Sequence, residues 1–274
     1  MGRYSSASAG GGLSFVHSPS TGMASIGRLP GEDARTGFNA VSDDGVAVGS
    51  VANGRTNVGA ILNRAARWSA AGGLELLPLP DPLDEFQQSS AFALLNDGRV
   101  FGSSASGWWL YSDSTGFDVL PEEAWGLGRI NSDGRFISGD DRDGDVYLIR
   151  GAYWTPDTGR QILEPYIDNG ASYGVTGMND DGSIIVGEQA NVGFLIWLDQ
   201  GSLVLFEDYV AGFGVDLMGH TIRDIRGVSA DGTTFVGEAR DPLGGNIAFS
   251  IVIPSPGVLP ALCVAGGVLA RRRR

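Results

Sequence analysis

Apolar residues along this chain come in short runs, and five of the runs are punctuated in the same way. Asp44-Gly45, Asp97-Gly98, Asp133-Gly134, Asp181-Gly182 and Asp231-Gly232 each follow an Asn or Ser within three residues. Each is followed by a short apolar run that ends in Gly49, Gly102, Gly139, Gly187 or Gly237. Runs of this length bounded by turn residues read as strands rather than helices. Asp-Gly between two such runs predicts a hairpin, with a type I′ turn that needs positive φ at both central residues.

The flanking sequence extends each hairpin to four strands. Strand A precedes the turn, as in 37–42, and strand B follows it, as in 46–49. Strand C carries an aromatic residue (Trp68, Trp109, Trp154, Trp197), and strand D ends in Leu77, Leu120, Leu163 or Phe206. Successive turn glycines are 53, 36, 48 and 50 residues apart, so the loops vary while the strands do not. Four short strands at this period are the signature of a β-propeller blade. The expectation is an all-β propeller of five blades; a β-sandwich or an open meander of hairpins is the alternative. Six blades would need a further A–B pair before Leu13.

The last unit has strands A, B and C, up to Ile253, but no D, whereas Met23 to Leu29 is a surplus D. Residues 23–29 are therefore expected to pair with the sheet of Phe235 and Ala248, so that strands from both chain ends close the last blade and leave no unpaired edge. His17 stands where strand C would carry its aromatic and is expected to pack inward. The long connection from Glu207 to Thr221 has Leu205, Tyr209 and Val210 at helical spacing, which predicts a short helix.

Three segments result: 1–12, Ser-, Ala- and Gly-rich and expected to be disordered; 13–253, the repeat domain; and 254–274, a tail. Residues 1–12 contain no apolar signal-peptide core, and the natural start is expected to lie upstream of Met1. The tail runs from Pro254-Ser255-Pro256-Gly257 through the apolar stretch Val258 to Ala270, expected as a short helix, to Arg271, Arg272, Arg273 and Arg274. That stretch is shorter than the ~20 residues of a stable membrane span, and the terminal arginines would stay on the cytoplasmic side.

Composition sharpens this picture. Glycine is 43 of 274 residues, about twice its usual share, and it sits at turns. Net charge is −13, and four of the 19 basic residues end the chain. A body so acidic, with no basic stripe, argues against a nucleic-acid partner. The single cysteine, Cys263, leaves no intrachain disulfide to form.

The tail resembles a PEP-CTERM sorting signal: a Pro-x-Pro motif, a short apolar helix and a terminal basic cluster, with Ser255 in place of the family's Glu and Pro260 inside the apolar run. The repeats resemble HAF-type extracellular repeats, whose units carry a Ser-x-Asp-Gly turn and an Ala-Phe-x-Trp strand; 227–237 and 152–163 match best. The resemblance implies an exported cell-surface or extracellular-matrix protein. An exosortase-like peptidase would recognise its tail, which would be held transiently in the membrane. It implies no catalytic residues. The expected role is binding or structure, with extracellular polysaccharide as a ligand class; the alternative is a secreted hydrolase acting on polysaccharide or ester bonds.

Candidate chemistry is sparse. Gly170-Ala171-Ser172-Tyr173-Gly174 has the spacing of a nucleophile elbow, but leads into a strand rather than the helix such an elbow needs. His220, in the long connection, is the one histidine placed to act as a base or ligand contact. Asp140, Asp141, Asp143 and Asp145 crowd one loop, and such oxygen ligands suit Ca²⁺; a solvated acidic loop is the competing reading. Neighbours on a strand face opposite ways, so Trp108 beside Trp109 is the leading candidate for an exposed aromatic, and Trp125 is a second.

Overall fold

The computed structural model describes residues 2–5, 12–18, 22–27, 35–42, 44–55, 59, 61–81, 87–141, 149–168 and 170–254. It is all-β, with sheets of the β-propeller type and one described α-helix. Four sheets are four-stranded antiparallel meanders in the order A-B-C-D. Blade one is β4 (Thr36–Val41), β5 (Ala47–Arg55), β6 (Ile61–Ser69) and β7 (Gly73–Leu76). Blade two is β8 (Ser89–Leu94), β9 (Val100–Ser104), β10 (Gly107–Ser112) and β11 (Gly116–Val119). Blade three is β12 (Arg129–Ile130), β13 (Ile137–Asp141), β14 (Arg150–Thr155) and β15 (Gly159–Ile162), and blade four is β16 (Tyr173–Met178), β17 (Ile184–Gln189), β18 (Gly193–Leu198) and β19 (Ser202–Leu205). The helix α1 (Phe206–Gly212) follows, where the spacing predicts one. Blade five has three described strands, β20 (Thr221–Val228), β21 (Thr234–Arg240) and β22 (Asn246–Val252).

The N-terminal segment departs from expectation in three ways. Residues 2–5, expected to be disordered, form a strand, β1 (Gly2–Ser5). It pairs with β2 (Gly12–Ser18), which pairs in turn with β3 (Gly22–Ser25), so the described strand of the surplus D is hydrogen-bonded in its own three-stranded sheet, and among the described residues it has no ladder to the sheet of Phe235 and Ala248. His17 is exposed rather than packed.

The chain divides into two compact units, residues 1–125 with 132–134, and residues 126–131 with 135–274. In the first, one core lies between the N-terminal sheet and blade one (Ile26, Phe38, Trp68) and another between blades one and two (Val48, Leu77, Val100, Trp109). In the second, Phe136, Leu163, Val175, Ile185 and Trp197 fill the space between blades three and four, and Ile184, Ile196, Phe206, Val210, Ile225 and Phe235 that between four and five. The strand C tryptophans and the residues that end strand D are all buried, as their period predicts.

The recurring glycines have two separate causes. The strand B glycine, expected at the strand's end, lies inside it, and in four blades it sits opposite a bulge in strand A: the register shifts between Phe38 and Ala40, Ala91 and Ala93, Val175 and Gly177, and Ile225 and Gly227. The bulge pushes a carbonyl toward strand B, and at Gly102, Gly187 and Gly237 a strand C ring covers the same spot. A Cβ at Gly187 would stand 1.9 Å from the Gly174 oxygen and 2.9 Å from the Trp197 ring; at Gly237 it would stand 2.0 Å from the Asp224 oxygen and 2.8 Å from Phe249. These positions call for glycine by close approach, not by φ.

The turn glycine does need positive φ, +70° at Gly182 and +73° at Gly232, but the turn is not type I′. The Gly182 N–H bonds to the Asn179 oxygen and the Gly232 N–H to the Ser229 oxygen, so glycine is the fourth residue of the turn. None of the five aspartates is among the non-glycine residues of positive φ. Asp-Gly thus closes a type I-like turn with a left-handed glycine at its end. The same glycines touch the preceding blade: a Cβ on Gly182 would meet the Phe136 ring at 2.6 Å, and one on Gly232 would meet Ile184 at 2.7 Å.

The aspartate of the turn is held by its neighbours. Asp231 accepts from the Ser229 hydroxyl (2.6 Å) and the Thr233 N–H (3.1 Å), and the Ser229 oxygen accepts the Thr234 N–H (2.9 Å). Asn179 serves Asp181 and Ile184 in the same way. Hydrogen bonds from Ser42, Ser183 and Ser229 hold the Asp44, Asp181 and Asp231 carboxyls below the ordinary range. A depressed carboxyl pKa contributes stability that is present above the unfolded-state value and is lost as pH falls through the folded value. The melting temperature is therefore expected to be level from about pH 7 to 5 and to drop below about pH 4, with a shallower drop in Asp181→Asn. Melting curves across that range check this; identical acid limbs in the two proteins would remove the turn carboxylate as a cause.

Candidate functional site

In the first unit, strand geometry sorts the Trp108-Trp109 pair. Trp109 is fully buried, edge-on to Phe117 at 5.1 Å. Trp108 takes the opposite face but is not an open platform: it stacks on Phe101 at 5.0 Å and meets Phe92 at 5.2 Å. Of the two tryptophan candidates, Trp125 is the exposed one. It follows a 3-10 turn over Glu122–Ala124, donates its indole N–H to the Leu120 oxygen (3.1 Å) and is 37% exposed. Its ring occupies the space a side chain at Gly107 would need, 2.4 Å from the Cβ position. Glu122 and Glu123 are exposed beside it in the chain. One anchored aromatic face flanked by acids is a surface that can stack against a sugar or another apolar ring.

In the second unit, the two described acids of the Asp cluster are committed to the scaffold. Asp140 Oδ1 accepts the Val175 N–H at 3.1 Å, tying blade three to blade four. Asp141 is buried and pairs through Oδ2 with Arg150 (2.9 Å) and through Oδ1 with Arg160. Asp143 and Asp145 lie outside the described residues. With both Asp141 oxygens on guanidinium groups, that carboxylate does not fit a Ca²⁺ ligand, and among the described residues no three His, Cys, Asp or Glu side chains converge.

Beside this pair lies a groove of about 320 Å³ that the sequence reading missed; Arg150, Ile162, Glu164, Ile167, Asp168 and Tyr173 are among its lining residues. One wall is the connection from strand D of blade three to strand A of blade four. The buried Gln189 side chain fixes it, accepting from the Tyr166 and Ile167 N–H groups (2.9 and 3.1 Å) and donating to the Ile167 oxygen (2.6 Å). Tyr173 donates its hydroxyl to the Leu163 oxygen (2.8 Å), and burial pushes its phenol pKa up. Ile162, Tyr166 and Ile167 are exposed around the site. A cation, two carboxylates and apolar flanks suit a neutral, hydroxyl-rich ligand better than a strong anion. The one sequence signal was the apolar content of a loop, Pro165-Tyr166-Ile167, where a solvated connection would be polar.

The remaining candidates do not assemble a catalytic site. The Ser172 hydroxyl oxygen accepts the Ile149 N–H (3.1 Å) and β16, not a helix, follows it. Ser89 and Thr36 do the same for Ala65 and Ser14, so Ser172 is a blade-stacking contact. His220 donates its Nδ1 proton to the Leu217 oxygen (2.8 Å), closing its own turn. Pro254 is exposed just past β22; Ser255, Pro256, Gly257 and Arg271 to Arg274 lie outside the described residues, as does the expected apolar helix. Among the described residues no helix is long and apolar enough to cross a membrane.

No family model matches the chain. No curated protein matches it either. Among solved structures, TolB from Acinetobacter baumannii aligns at a TM-score of 0.47 and 17% identity, over 70% of this chain and 49% of TolB. This chain therefore spans about half the length of that protein. Candidate 6-phosphogluconolactonases from Bacteroides fragilis and Bacteroides uniformis align at TM-scores of 0.39 and 0.38 and identities of 15% and 14%. They cover 90% and 94% of this chain and 76% and 79% of their own lengths. None of the three bears on what this chain binds or does.

Proposed function

We propose that this is an exported binding or structural protein of the cell surface or extracellular matrix, with extracellular polysaccharide as its ligand class. The observation that carries the choice of binder over a serine-type ester hydrolase is that the serine and histidine candidates, and the buried Asp141, are bonded into the scaffold. Ser172 serves Ile149, His220 serves Leu217, and Asp141 serves Arg150 and Arg160. What stays open to solvent is a groove and an anchored indole face, which are binding features. The sequence of the tail supports export: Pro254 to Gly257, the apolar run and the four terminal arginines follow the last blade in the order of a sorting signal. An exosortase-like peptidase is the proposed processing partner, acting while the apolar run holds the protein briefly at the membrane.

The test is expression in a host that has such a peptidase. Cell fractionation and intact mass of the secreted protein are expected to show chain cut near Pro254 to Gly257, cosedimenting with the host's matrix polysaccharide. Arg271 to Arg274 replaced together by Ser is expected to disturb retention and processing while the blades still fold. Full-length chain free in the medium, carrying all four arginines, would reject the sorting assignment; processed chain that ignores the polysaccharide would reject the ligand class.

A further inference from the structure

The groove beside the Asp141 ion pair has an uneven charge. Its lining cation, Arg150, is committed: the guanidinium donates to Asp141 Oδ2 at 2.9 Å, and Arg160 holds the other oxygen of the same carboxylate. Its two lining carboxylates, Glu164 and Asp168, are exposed, and among the described residues neither side chain takes part in an ion pair. Both act on the Tyr173 hydroxyl within the groove. Burial is the main cause of that phenol's raised pKa, the Arg150 charge works against it, and the charges of Glu164, Asp141 and Asp168 add to it. With Arg150 neutralised by Asp141, what the groove offers a ligand is negative charge. The whole chain, at −13, steers a cation toward itself and an anion away. The rest of the wall is apolar: Ile162 and Ile167 line it, and Tyr166 is exposed beside them. These groups are held in place without a ligand. The Glu164 backbone oxygen accepts the buried Trp197 indole N–H (2.8 Å), and Gln189 pins the chain at Tyr166 and Ile167. A wall fixed in advance loses little freedom on binding.

We propose that this groove binds a saccharide unit that bears a free primary amine, as in a cationic, incompletely acetylated hexosamine polysaccharide. The proposal rests on the binding reading above and narrows its ligand class. The protonated amine would donate to Glu164 and Asp168, and such charge-assisted bonds are roughly twice as strong as neutral ones. The C–H face of the sugar ring would lie on Ile162 and Ile167, with the Tyr166 ring as a further apolar and cation-attracting surface. Acetylating the amine removes the positive charge and leaves both carboxylates without a counter-charge, which is how the groove would tell the two forms of one sugar apart. An anionic sugar would meet the same carboxylates as repulsion, because Arg150 is already bound to Asp141. At about 320 Å³ the groove is at the small end of ligand sites, roughly 300–1,000 Å³, so it reads a short stretch of the sugar chain rather than a long one.

Isothermal titration of the purified full chain tests this, at a pH where the sugar amines are protonated. The probes are a glucosamine oligomer, its fully N-acetylated form and a glucose oligomer of the same length, with spermine as a cation that is not a sugar. The glucosamine oligomer is expected to bind at least about tenfold more tightly than any of the other three, and Glu164→Gln with Asp168→Asn is expected to remove that preference. Asp157 and Asp199 are exposed in the turns that precede strand D, at its other end from the groove. Asp157→Asn with Asp199→Asn therefore makes the same change in net charge and should leave the preference intact. Both double variants exchange exposed carboxylates for amides and should melt close to the parent. Equal affinity for the three sugars overturns the proposal, and so does binding by none of them. An equal loss in the two double variants would assign the effect to overall charge, and spermine binding as tightly as the glucosamine oligomer would mean that the groove reads charge and not sugar; either result overturns it. Cosedimentation with matrix polysaccharide decides the broader binding reading separately, so equal, tight binding of all three sugars would sink the amine and leave that reading standing.

Discussion

Replacing Gly187 by alanine is expected to destabilise the protein by about 3 kcal/mol, the upper part of the overpacking range, and to lower its melting temperature by roughly 10 °C for a chain of this size. The added methyl has nowhere to go. Its Cβ would stand 1.9 Å from the Gly174 oxygen and 2.9 Å from the Trp197 ring. Backbone on one side cannot rotate away, and the indole on the other is fully buried, with its N–H bonded to the Glu164 oxygen (2.8 Å). Relief requires the bulge at Val175 to Gly177 to open, which breaks the ladder between β16 and β17. Gly212→Ala is the matched control: nothing lies within 4 Å of its Cβ position, so it should be neutral or slightly stabilising. Melting curves of the two variants decide the matter. If Gly187→Ala melts with Gly212→Ala, close approach is not why strand B carries this glycine.

Asp141→Ala is expected to have a comparable effect, about 3 kcal/mol, because removing one partner of a buried ion pair leaves the others facing an uncompensated charge. The Asp141 side chain is 7% exposed, and the two guanidinium groups it holds, from Arg150 and Arg160, are about a quarter exposed. Without the carboxylate these two cations would meet each other across β14 and β15, and Arg150 would lose the bond that sets its place in the groove. Asp141→Asn should lie between wild type and alanine, since the amide oxygen still accepts one hydrogen bond. A loss within about 0.5 kcal/mol, the range of ordinary surface substitutions, would mean that water shields the pair and that the groove wall does not depend on it.

Much of this architecture was legible because it repeats. A strand C tryptophan follows four of the five Asp-Gly turns and is buried each time it occurs, and the helix at Phe206 follows from the spacing of Leu205, Tyr209 and Val210. The turn type was not legible, because Asp-Gly also closes a type I turn; only the Gly182 to Asn179 and Gly232 to Ser229 bonds separate the two. His17 misled because position in a repeat was taken for burial, and the N-terminal sheet is not a full unit: β1 stands on the side of β2 where blades one to four carry strand B. Of the segment expected to pair with blade five, the described strand β3 is bonded to β2 in the N-terminal sheet. The groove was invisible for a different reason. Its wall depends on Gln189 reaching Tyr166 and Ile167, over twenty residues back in the chain, and no local pattern marks a glutamine as a loop anchor. Trp108 failed as the exposed aromatic because alternation says only that it faces away from Trp109, not that Phe92 and Phe101 wait on that side.

The way the Gly182 and Gly232 turns grip the blade before them has a consequence for how such a gene can change. Gly232 leans on Ile184 as Gly182 leans on Phe136, and Ser172 receives Ile149 as Ser89 receives Ala65. Within each unit, then, a blade reads the one before it through a few such contacts. Unequal crossing-over within the D-to-A linkers would add or delete a whole blade while each new junction met the same partner atoms. Lineages carrying this repeat should therefore differ in copy number more readily than in the sequence of the turn, and breakpoints should fall in linkers such as 164–172, away from the glycines within strand B.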